Sequence, residues 1–323
     1  MTDPTDLAAL LADLGLPEAP EPLPGFAADS HTHLDAVEER SGLRPDDALA
    51  LAAAVGIDRI VQVGCDEPSS LWAAEFALAH PSVVAAVALH PNEVARHPER
   101  TKPGVETVER LAGAGAHVRA IGETGLDYFR TTEPEGQVLQ REAFAAHIEI
   151  AAAHDLTLVI HDRDAHDDIL DVLAGSTAPS RVVMHCFSGD ADFAHRCLDR
   201  GYWLSFPGVT TYKANHHLRR ALAVTPPDRL LVETDAPYLT PVPARGRPNS
   251  TYLLPHTIRF VAEQREWDLA ETCALLTRNT MAAFGGAWPA LGEIVPEAVG
   301  SGPKSSPTDS GPASAPEAGA TRG

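Results

Sequence analysis

FAADSHTHLD, residues 26–35, is the stretch on which the fold turns. A short β-rich run ends in two histidines, two positions apart, and passes into a helix-like run. An open doubly wound sheet that binds a dinucleotide would carry a glycine fingerprint at this first strand-to-helix turn. Here the turn carries imidazoles and a carboxylate instead.

Seven further β-rich runs follow: IDRIVQVG (57–64), VVAAVALH (83–90), VRAIGETGLD (118–127), TLVIHDRD (157–164), RVVMHCFSG (181–189), YWLSFPGV (202–209) and RLLVETDAP (229–237). Between them lie stretches with helical spacing and turn residues at their ends, such as PSSLWAAEFALAH and EGQVLQREAFAAHIEIAAAH. Strict alternation implies parallel strands joined by right-handed crossovers. Eight such units close into a (β/α)₈ TIM barrel, here a single domain over 26–286.

The flanks differ in character. Residues 1–25 hold a short helical pattern, Asp6–Leu14, then Pro17, Pro20, Pro22 and Pro24, and read as an N-terminal extension. Residues 287–323 are rich in Pro, Gly, Ser and Ala and read as a disordered tail. No apolar run reaches 18 residues, so no membrane span is expected. The acidic N-terminus lacks a secretory pattern, which points to the cytoplasm. Four cysteines without CxxC spacing read as reduced thiols, not as a zinc-thiolate site. Nothing marks an obligate protein partner.

The formal charge is −20, from 25 basic and 45 acidic residues. That argues against nonspecific duplex binding through a basic stripe, although a local cationic cleft can still receive an anion. Only Lys102, Lys213 and Lys304 are lysines, so arginine carries nearly all the positive charge.

Polar side chains collect at one end of the expected strands: His31 and His33, Glu123 and Asp127, His161, His185, then Glu233 and Asp235. Barrel active sites lie on that C-terminal face. His31 and His33 share one strand face, where two imidazoles either chelate an ion or form a hydrogen-bonded core pair. Asp29 points the same way, as a ligand or as a partner behind one. Glu123, between two glycines, is costly on a buried strand unless it is paired or on metal. No lysine ends the fourth strand, so a carboxylated lysine is excluded there and Glu123 is the group placed to bridge. Asp235 suits a ligand that also accepts a proton from water, with Glu233 orienting a neighbour. Arg163 either grips a substrate anion or pairs with nearby aspartates. His90 either reaches a leaving group or caps its strand. The other ten histidines read as surface or packing residues.

Together DSHTHLD, QVGCD, LHPNE, AIGETGLDYFR, LVIHDRDA, VVMHCFSG, LLVETDAPYLTPVPARGRPN and TRNTMAAF resemble the TatD family of metal-dependent hydrolases, within the amidohydrolase-like barrels. The resemblance spans nearly all of 26–286 and implies a binuclear site. In it His31, His33 and Asp235 hold one ion, Glu123 bridges, and His161 with His185 holds the other. It also implies a 3′-to-5′ exodeoxyribonuclease working with Mg²⁺, with Arg245 and Asn249 near the substrate. Thr251 stands where family members often carry proline. Four imidazoles favour Zn²⁺, Mn²⁺ or Fe over Mg²⁺ as resident ions. The competing expectation is a hydrolase of a small amide, lactone or phosphoester, which the negative charge favours; a non-enzymatic metal-binding protein is the third.

Overall fold

The structure, a computed structural model, describes residues 4–177, 179–286, 288 and 289. Its eight strands are β1 (Ala27–Thr32), β2 (Ile57–Val63), β3 (Val83–Val87), β4 (Val118–Asp127), β5 (Thr157–Arg163), β6 (Val182–Met184), β7 (Trp203–Phe206) and β8 (Leu230–Val232). All neighbours pair in parallel, in the order of the chain. A bridge between Thr32 and Ala236 brings the last strand back to the first. His33 N–H donates to Ala236 O at 2.9 Å, and Asp235 N–H to His31 O at 3.0 Å. This is the expected TIM barrel.

Period-two alternation divides each strand between two cores. Val61, Val63, Val84, Val159, Val183 and Leu231 belong to one cluster that also contains Phe284 and Trp288. Ile60, Val87, Ile121, Ile160, Val182 and Val232 pack in the larger cluster with the surrounding helices. The first parity leads directly to the site. Two-residue steps run from Val159 to His161, from Val183 to His185, and from Leu231 through Glu233 to Asp235.

Three expectations are revised. The first concerns strand ends: β6 and β8 each keep only three residues. His185, Glu233 and Asp235 therefore lie just beyond regular strand, where Cys186 and Asp235 adopt left-handed φ of 44° and 51°. Periodicity does not report such turns. Second, the segment before β1 is packed down. Its helix spans Pro4–Asp13, and Leu7, Leu11, Leu16 and Leu23 are buried in the main core. Third, Trp288 falls beyond the expected boundary at 286, yet it is 3% exposed. Its indole N–H donates to Ser82 O at 2.8 Å, just ahead of β3, so it helps close the barrel floor. A lone aromatic in a Pro/Ala-rich stretch gives no periodic signal. The rest of the expected tail lies outside the described residues, Pro289 apart.

Candidate metal centre

Glu123 is the hub of the barrel mouth. The register between β4 and β5 shifts between Ile121 and Thr124, so Glu123 sits in an irregularity of the pleat. Gly125, at φ 132°, lies so close to β5 that a Cβ would come within 2.1 Å of His161 O. Glycine is needed there to bring the two strands together.

Four imidazoles surround the carboxylate. Its Oε2 lies 2.8 Å from His185 Nε2 and 3.1 Å from His31 Nε2. Its Oε1 lies 2.9 Å from His90 Nε2 and 3.7 Å from His161 Nδ1. On the β1 side, His31 Nε2 and His33 Nε2 are 3.2 Å apart, and Asp235 Oδ1 is 3.5 Å from His33 Nε2. The period-two reading of HTH is borne out by these two rings converging.

The far nitrogens of three rings are anchored. His33 Nδ1 lies 2.9 Å from Val63 O, His185 Nδ1 3.0 Å from Glu233 Oε1, and His161 Nε2 3.3 Å from Asp127 Oδ2. Such contacts orient imidazoles toward a shared centre, as around bound metals. His90 differs. Its Nδ1 accepts the Asn92 N–H at 3.0 Å, which leaves the proton on Nε2, facing Glu123. It is set up as a donor to Glu123.

The electrostatics also call for a cation. Among the described residues, the ion pairs of Glu123, Asp127, Glu233 and Asp235 run to imidazoles only. Burial alone would raise Glu123, but the His185 and His90 imidazoles hold it well below the usual carboxylate range. Burial also opposes charge on His185, yet Glu233 and Glu123 on either side lift it well above the usual histidine range. His31 is pushed down by burial and by its neighbour His185, whose ring stacks on it at 3.7 Å. Asp29 is fully buried and pushed up to about 7 by desolvation, despite accepting hydrogen bonds from Thr234 N and Oγ1.

These donors fit divalent cations. Glu123 Oε2 is buried, and the Nε2 atoms of His31 and His185 both converge on it. The His31–His33 separation suits two nitrogens on one ion at about 2.0–2.1 Å each. Ligand-capable atoms fall into three overlapping groups: His31, His33, Glu123 and Asp235; His31, His185 and Glu233; and His90, Glu123 and His161. His161 and His185 were expected together. Here they address different oxygens of Glu123, with ring centroids 6.0 Å apart.

The expected substrate-side residues divide. Among the described residues Arg163 makes no aspartate pair; its guanidinium lies 3.9 Å above the Phe129 ring. Arg245 lies 4.2 Å above Tyr212. Asn249 does not face the cleft. It is 1% exposed, and its amide donates to Thr234 O at 2.9 Å and Tyr238 O at 2.5 Å. Its amide is fully engaged in holding the loop that carries Asp235. Thr251 is buried, with its hydroxyl 3.3 Å from that of Thr32. The residues behind the cluster, Asn92 on Asp127 (3.0 Å) and Gln62 on Leu34 N (2.7 Å), stand inside the LHPNE and QVGCD stretches, but nothing in those stretches marks them as partners of the site.

No helix among the described residues is long and apolar enough to cross a membrane. The family model described as TatD related DNase matches residues 28–285. An uncharacterized metal-dependent hydrolase from Mycobacterium tuberculosis, TatD, is 41% identical over 80% of this chain and 98% of its own length. Its counterpart YcfH from Escherichia coli is 36% identical over 80% of this chain and 96% of its own. Among solved structures, the TatD homolog YjjV from Escherichia coli superposes with a TM-score of 0.71 at 26% identity, covering 80% of this chain and 97% of that one. With an imidazole–carboxylate cluster able to bind metal at the mouth of such a barrel, this chain belongs to the TatD family of metal-dependent hydrolases.

Proposed function

We propose that this protein is a phosphodiesterase that removes nucleotides from DNA ends, using two divalent ions shared through Glu123. The observation that carries the reading is Glu123 itself, on whose two oxygens the imidazoles of His31, His90, His161 and His185 converge. On this reading His31, His33 and Asp235 hold one ion, and His161 and His185 serve the other. Such ions would polarise the phosphoryl oxygen and lower the pKa of an attacking water. The DNase description of the matching family supports the substrate class.

The chain's own groups supply the rest. Asp235, 3.5 Å from His33, accepts the proton that the attacking water loses. Glu233 keeps His185 oriented, and Asp127 does the same for His161. His90 presents an Nε2–H that steadies Glu123 or the departing oxygen. Arg163 and Arg245, beside the cleft, contact the substrate anion. Asn249 is withdrawn from that role.

End-labelled single-stranded DNA incubated with protein and Mg²⁺, Mn²⁺ or Zn²⁺ is expected to release mononucleotides. A net charge of −20 favours a second reading, a small phosphoester substrate. Intact DNA with all three ions, alongside turnover of a small phosphodiester, would select it.

A further inference from the structure

Large apolar side chains that are more than half exposed are few among the described residues, and one of them stands at the mouth. Phe129 is 57% exposed, and Tyr238 is 50% exposed at the opposite wall. Phe129 follows β4 and Tyr238 follows β8, which puts them across the ring of eight strands from each other. Both are tied to the cluster by short backbone links. Tyr128 N–H donates to Arg163 O at 2.9 Å, and Asp127, two residues before Phe129, meets His161. Tyr238 N–H donates to Asp235 O at 2.9 Å, and its ring lies 6.4 Å from that of His33.

Each ring carries an arginine. Arg163 stands 3.9 Å over Phe129 and Arg40 6.0 Å from the Tyr238 centroid. In a chain with 45 acidic residues, neither guanidinium has a carboxylate partner among the described residues. A guanidinium stacked on a ring keeps its N–H edge available for phosphate oxygens, while the other face of the ring stays open. The segments that follow β7 and β8 share the bias: residues 207–220 and 236–250 contain no Asp or Glu but include exposed Lys213, Arg220, Arg245 and Arg247. Ring faces beside unpaired cations are the combination that binds single-stranded nucleic acid.

We infer that Phe129, backed by Arg163, and Tyr238, backed by Arg40, are stacking shelves for the nucleobases on either side of the scissile phosphate. This rests on the phosphodiesterase reading and adds residues that hold the base. Water-exposed rings there bring no gain in folding; covered by a base, they fix where the backbone crosses Glu123.

The test uses metal-loaded, full-length protein and a single-stranded oligonucleotide with 2-aminopurine at its last two positions and phosphorothioate linkages. Binding is expected to quench the 2-aminopurine. Phe129→Ala and Tyr238→Ala should each lose much of the quench and weaken Kd about tenfold. Phe129→Tyr, which keeps a ring, should restore both. Binding by anisotropy with no quench, or an undiminished quench in both alanine variants, would overturn the shelves. Unmodified oligonucleotide run in parallel separates the two claims. Its cleavage by wild type alongside failed quenching removes only the shelves; neither cleavage nor binding removes both.

Discussion

Glu233 Oε1 accepts the His185 Nδ1–H at 3.0 Å and the Cys186 backbone N–H at 2.7 Å. One buried carboxylate thus fixes both the ring of His185 and the left-handed turn that follows it. Glu233→Gln keeps the volume and removes the charge. Metal affinity is expected to fall about 10–100-fold, the usual effect of losing such a partner, with circular dichroism unchanged. Isothermal titration with Zn²⁺ checks this, and an unchanged affinity would show that His185 needs no orienting group.

His147 is fully buried beneath β4, its Nδ1 2.7 Å from Thr124 Oγ1, and its Nε2 has no partner among the described residues. Burial lowers its pKa from 6.5 to about 4. Between those values the unfolded chain binds a proton that the folded chain refuses. Stability is therefore full above pH 6.5 and declines as pH falls toward 4, by up to about 3 kcal/mol from this group. Urea unfolding of wild type and His147→Asn from pH 4.5 to 7.5 should show a shallower decline in the variant. Parallel curves would refute the assignment.

Asn249 joins Thr234 O and Tyr238 O through one amide, on either side of Asp235. Asn249→Ala leaves the buried Thr234 carbonyl and the half-buried Tyr238 carbonyl short of a donor, at about 1–3 kcal/mol at most for the buried one. A lower melting temperature and a lower kcat, with KM little changed, are expected. A rise in KM alone would return Asn249 to direct substrate contact.

Trp288 closes the barrel floor beside Phe284, ring centroids 6.3 Å apart. Trp288→Ala should cost about 3–5 kcal/mol, the range for a buried aromatic. Denaturant midpoints read this directly. A loss below about 1 kcal/mol would mean that the packing contributes little.

Much of this was legible in the sequence because strand parity is a strong signal. His31 and His33, two apart, converge as period two requires, and His161 and His185 continue the inward rows of Val159 and Val183. What periodicity cannot report is where a strand stops. Asp235 and Cys186 leave the β region through left-handed turns, and nothing in LVETDA or MHCFS marks that. Side-chain hydrogen bonding was hidden too. His90 becomes a donor only because Asn92 N–H occupies its other nitrogen, a relation set by the turn at Pro91. Asn249 was expected at the substrate from its motif, but burial decides otherwise. Trp288 lay in a stretch whose composition masked it.

The most direct measurement is anomalous scattering from crystals of the full chain equilibrated with Mn²⁺. Two peaks about 3.5–4 Å apart, sharing Glu123 and reached by His31, His33, His161, His185 and Asp235, are expected. A map with no anomalous density at this cluster, while protein and ion are both present, would contradict the shared-ion site on which the chemistry depends.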